Sequence, residues 1–137
     1  MEWVALVTWV LTAGGGFVML GVWLKNGGMA QSATPDERIR ANRILTHFAL
    51  AATGLVLWIV YVVSDTSALA WISFALLLVI ALIGFSMLAT WLRQRSGTTR
   101  DLVPAEQHFP TPVVALHGVL AATTLVLVLL VAAGVAD

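Results

Sequence analysis

Two histidines sit where histidine is costly. "LTHFALAATGLVL" at 45–57 places His47 in a run of Ala, Leu and Val, and "ALHGVLAATTLVL" at 115–127 places His117 in another run of the same kind. An ionisable side chain inside an apolar span is expensive and marks a functional site by default. A neutral imidazole offers one lone pair to a metal and one N–H to an acceptor. Two imidazoles at one depth can therefore share an ion or cofactor, or hydrogen-bond between helices. The third histidine, His108, precedes "FPTP" in a polar stretch and reads as a solvated loop residue.

Membrane helices must position the pair. The chain has 137 residues, 60% hydrophobic and only 10% charged, with mean hydropathy +0.95. Soluble domains carry about a quarter charged residues, so the composition predicts an integral membrane protein of one domain, 1–137. A hydrocarbon core of roughly 30 Å needs about 20 apolar residues in a helix. Four stretches qualify, near 3–24, 42–63, 69–92 and 113–134. The N-terminus "MEWVALVTWV" lacks the basic start of a signal peptide and carries Glu2. It reads as a retained first span. "TPDE" at 34–37 matches a capping box, which predicts a second helix beginning near Pro35, and Thr111 before Pro112 is a matching cap for the fourth.

All seven Lys and Arg fall in the two longer connections, about 26–41 and 93–112, or at their edges. The positive-inside rule then predicts a four-span cell-membrane protein with long loops cytoplasmic and both termini outside. Trp3, Trp9, Tyr61 and Trp71 are expected at the outer interface, Trp23 and Trp91 at the inner one.

The sequence repeats. His47–Ser64 aligns with His117–Gly134 without a gap, with His, Leu, Ala, Ala, Thr, Leu, Val and Leu identical. "GFVMLGVWLK" at 16–25 aligns with "GFSMLATWLR" at 84–93. The fold expected is all-α: a four-helix membrane bundle written as two parallel-repeat helical hairpins, about 3–64 and 69–134, related by an axis along the membrane normal.

That symmetry puts both histidines at one level. His47 lies four residues after Arg43, about 6 Å along the helix at 1.5 Å per residue, and His117 lies five after Pro112. One haem b fits, bound through two Nε2 atoms. Each Nδ1–H is expected to meet a carbonyl one turn back, such as that of Arg43 or Val113. Ala51, Gly54 and Ala121 on the histidine faces, with Gly16 and Gly84 on the other helices, leave room for a flat macrocycle. Arg40 and Arg43 continue the His47 stripe and suit haem propionates, with His108, Arg93 and Arg95 assisting from the other repeat.

In architecture the pattern resembles the membrane b-type cytochromes, four-helix bundles with bis-histidine haem. The resemblance rests on His47 and His117 and the helices that carry them, about half the chain. It implies electron transfer, alone or as the haem-bearing subunit of a redox complex. Partners would be the bilayer, other membrane redox subunits or a quinone, or a second copy in a homo-oligomer.

Two alternatives stand beside it. In one the protein is an accessory or assembly subunit without cofactor, its imidazoles bonding between helices. In the other, repeat-equivalent Met19 and Met87 join the histidines around Cu(I). The absence of cysteine excludes thiolate sites and covalent haem attachment. "GGG" at 14–16 reads as a close-packing patch or cofactor wall, not a phosphate loop. Zero net charge argues against nucleic acid. No Ser–His–Asp set, HExxH or intramembrane carboxylate pair points to a hydrolase, and the spans lack the polar lining of a channel.

Overall fold

The computed structural model describes residues 1–31, 39–96 and 103–135. Its elements are α1 (Glu2–Lys25), the short α2 (Gly28–Gln31), α3 (Ala41–Ser64), α4 (Ser67–Ser96), a 3-10 turn (Ala105–His108) and α5 (Thr111–Ala132). α1, α3, α4 and α5 are each long and apolar enough to cross a membrane. The chain is an all-α, multi-pass membrane bundle.

Helix boundaries follow local chemistry. α3 ends where Asp65 takes a left-handed conformation at φ 52°, and α4 begins two residues later. α1 ends at Lys25, and Gly27 turns the chain at φ 78° into α2. Gly28 is fixed by packing, because a Cβ there would run into the buried Trp23 indole. α3 begins at Ala41 rather than near Pro35, since Ile39 and Arg40 are extended or irregular; the "TPDE" motif lies outside the described residues. Thr111 is the first helical residue of α5, not its cap. Its hydroxyl accepts a hydrogen bond from Arg95 Nη1 at 3.0 Å.

The four long helices form a ring in the order α1, α3, α4, α5, all neighbours antiparallel. The closest pairs are α1 with α5 and α3 with α4. Each therefore joins helices of different repeats, and the pairs within a repeat touch less. α3 and α5, the two histidine helices, stand diagonally opposite.

Packing is uneven along the bundle. Ala5, Trp9, Trp58, Tyr61, Ala70, Leu77, Ile80, Val128 and Val131 form a core in the half that carries the termini. Trp9 fits there because Gly54 has no side chain: a Cβ at 54 would lie 2.9 Å from the Trp9 ring. Close approach of this kind is what holds helices together where lipid removes the hydrophobic drive. Trp3 and Trp71 are exposed, whereas Trp9, Tyr61, Trp23 and Trp91 are buried within the bundle. At the level of the histidines burial is partial. No described residue in 10–22, 40–53, 81–89 or 110–123 is fully buried.

The loop-side end is filled by a buried polar plug. Ala105 and Glu106 of the 3-10 turn are buried. Glu106 Oε1 accepts from the Ile39 N–H at 2.9 Å and from Gln94 Nε2 at 2.7 Å. The Glu106 carbonyl accepts from Trp91 Nε1 at 3.0 Å. Gln107 Nε2 donates to Gln94 Oε1, and the Ala105 N–H to Gln31 Oε1. A carboxylate so buried needs such donors to offset its lost hydration.

Candidate functional site

His47 and His117 meet across the bundle, ring centres 6.3 Å apart and planes inclined by 54°. Both are half-buried. His47 Nδ1 lies 3.1 Å from the carbonyl oxygen of Ile80, and His117 Nδ1 2.9 Å from that of Thr12. A carbonyl only accepts, so each Nδ1 carries the proton and donates it. Each Nε2 is then left with its lone pair, and among the described residues neither has a hydrogen-bond partner.

The two halves of the site correspond. Thr12 and Ile80 are separated by the offset of 68 that relates α1 to α4, and so are Gly16 and Gly84. A Cβ at Gly84 would lie 3.3 Å from His47 Cε1, and one at Gly16 3.4 Å from His117 Cε1. The next nearest ring atom is Nδ1 in both cases, at 3.8 Å, so a methyl group at either glycine would press on the edge of the ring that carries the bonded N–H. Gly15 also lies against His117, whereas nothing stands within 4 Å of where a Gly14 Cβ would point. The "GGG" patch thus packs an imidazole through its second and third residues.

The expected Nδ1 partners are corrected by this geometry. Arg43 and Val113 lie one turn back on the histidines' own helices, where the carbonyls serve the helix. The actual acceptors come from the partner helix of each close pair. Ala51 and Ala121 are half-buried beside the histidine stripes. The room left by Gly54 is taken by Trp9. Its repeat equivalent Thr124 donates to Leu120 O at 2.8 Å and lies 3.0 Å from Thr8 Oγ1.

Basic residues gather at the loop-side end. Arg43 is half-buried, with Nη1 3.5 Å from Thr90 Oγ1, and Arg93 Nη2 lies 3.3 Å from the same oxygen. Arg40 is exposed at the start of α3. Arg95 stacks on Trp91 at 4.6 Å. His108 is exposed, its Nδ1 3.3 Å from Ala105 O.

The donor set narrows the chemistry. Among the described residues no group of three or more His, Asp or Glu is placed to hold a metal. Two imidazoles alone suit a metal that brings its other ligands with it. A nitrogen-to-metal distance of about 2.0 Å and an imidazole radius of roughly 1.1 Å put the centres of two opposed ligand rings roughly 6 Å apart. The 6.3 Å separation fits. Sequence reasoning missed the buried Glu106 plug, since an acid between Ala105 and Gln107 looks like any solvated loop residue.

Comparison with protein-family models, with curated proteins and with solved structures finds no match to this chain. The functional reading rests on the site.

Proposed function

We propose that the protein is a membrane b-type cytochrome, or the haem-bearing membrane subunit of a redox complex, holding one haem b between His47 and His117. The observation that supports this most is the paired tautomer. Each Nδ1–H is held by a backbone carbonyl of the neighbouring helix, which frees each Nε2 and raises its basicity. Haem b, when bound, supplies one-electron chemistry at its iron. The chain's part is to hold and enclose it. Gly16 and Gly84 let each imidazole lie close against the neighbouring helix, where its Nδ1–H meets the carbonyl. Leu50, Ala51, Leu120 and Ala121 line the histidine faces and exclude water. Arg40 and Arg43 place positive charge at the loop-side end, where propionates fit. By the positive-inside rule that end faces the cytoplasm and both termini lie outside. Redox partners would be other membrane subunits or a quinone, and a homo-oligomer is compatible with the exposed apolar faces.

The test is a visible spectrum, reduced minus oxidised, of protein purified in mild detergent from haem-replete cells. The expected result is a sharp α-band of six-coordinate low-spin haem b, lost in both His47→Ala and His117→Ala. A featureless spectrum from monodisperse protein, with no haem taken up on titration, overturns the proposal. The cofactor-free accessory reading would then lead, because the same Nδ1 bonds also tie α3 to α4 and α5 to α1. Cu(I) is the third reading, favoured by half-buried Met19 and Met87 at equivalent positions, and metal analysis of the same sample tests it.

A further inference from the structure

Arg43 and Arg93 come from different helices and different repeats, yet both reach one hydroxyl. Thr90 Oγ1 donates its own proton to Ser86 O at 3.0 Å, so its lone pairs face the two guanidinium groups. Thr90 is buried, which fixes the meeting point. Two like charges drawn together cost free energy unless an anion lies between them. Neither arginine has a carboxylate partner among the described residues. Glu2 and Asp65 lie at the opposite end, and Glu106 is engaged by Ile39 and Gln94.

The arrangement belongs to one half of the molecule only. The repeat equivalents of Arg43, Thr90 and Arg93 are Val113, Val22 and Lys25, which cannot make the same pair of forks. The histidines, the carbonyls that hold them and Gly16 and Gly84 are duplicated, whereas this arrangement is not. Guanidinium forks match the geometry of carboxylate and phosphate oxygens, and basic pockets between membrane helices are suited to anionic head groups.

We propose that Arg43, Arg93 and Thr90 form a binding site for an oxyanion, a carboxylate or a phosphate, at the loop-side end of the α3–α4 pair. The carboxylate case rests on the haem reading and deepens it; the phosphate case goes beyond it. A ligand seated at the histidines can supply the carboxylate, and a phospholipid can supply the phosphate.

Two titrations on the full chain in neutral detergent separate the sources. In the first, thermal melting is followed while phosphatidylglycerol is added, with phosphatidylcholine as control. In the second, haem is compared with its dimethyl ester, which lacks free carboxylates. A saturable, salt-sensitive rise in melting temperature with phosphatidylglycerol, lost in Arg43→Gln and Arg93→Gln but kept in Arg95→Gln, assigns the site to lipid phosphate. A preference of roughly tenfold for haem over its ester, lost in the same two variants, assigns it to the ligand's carboxylate. Thr90→Val keeps the shape and should weaken either response, which guards against a variant that fails to fold. If neither titration distinguishes the wild type from Arg43→Gln and Arg93→Gln, the proposal is overturned. Failure of haem uptake speaks against the cytochrome reading only, and the lipid titration then decides the anion site alone.

Discussion

The carbonyls of Ile80 and Thr12 act on the histidines as a mechanical stop and as a tautomer selector. Both roles depend on the glycine one turn along the same helix. At Gly84 the clearance for a Cβ is 3.3 Å to His47 Cε1, tighter than ordinary contact, so the imidazole must turn to make room. Gly84→Val should displace His47 further and lower haem occupancy several-fold, whereas Gly21→Val, with nothing within 4 Å, should leave occupancy unchanged. The haem-to-protein ratio of the purified variants checks this. The residues themselves were readable in advance: rare His, Gly and Trp recur in register, and burial of charge in an apolar run is costly wherever it occurs. The Nδ1 acceptors were not readable. They depend on which helices pair, and in a membrane every face of a helix is apolar enough to face lipid or protein.

Between helices, packing carries the stability. Trp9 rests against Gly54 and Trp58, and Trp58 Nε1 reaches the Glu2 carbonyl at 3.3 Å. Trp58→Ala should cost on the order of 3 kcal/mol through the void it leaves, read as a lower midpoint in detergent unfolding. Gly54→Leu should be comparably damaging, because the side chain would enter the space of the Trp9 ring. At the opposite end, Glu106→Leu removes the acceptor of the Ile39 N–H and one acceptor of Gln94, and about 1–3 kcal/mol is expected for the stranded Ile39 N–H alone. Glu106→Gln keeps an acceptor oxygen and should cost less; the same unfolding midpoints compare the two. The spans themselves were legible to within about four residues, since length and hydropathy are set by bilayer thickness. The start of α3 was not. Thr34, Pro35 and Glu37 have the residue types of a cap, but Ile39 and Arg40 are not helical, and Ile39 gives its N–H to Glu106 instead.

Taken whole, the chain has an orientation that a simple labelling experiment reads, because it contains no cysteine. With Thr66→Cys in the short α3–α4 turn and Ser96→Cys at the far end of α4, a membrane-impermeant maleimide should label the first in intact cells and the second only after permeabilisation. The reverse pattern would invert the topology. Helix pairing has a further consequence. Because α1 lies against α5 and α3 against α4, a histidine and the carbonyl that orients it always belong to different repeats. A single two-helix unit of this design therefore holds neither imidazole in place by itself, and two separate copies would have to find each other before any ligand could be gripped. Joining them end to end makes that encounter intramolecular, fixes the ratio at one to one, and lets the halves diverge. Gly54 and Thr124, or Arg43 and Val113, are places where one half has since taken on work that the other does not share.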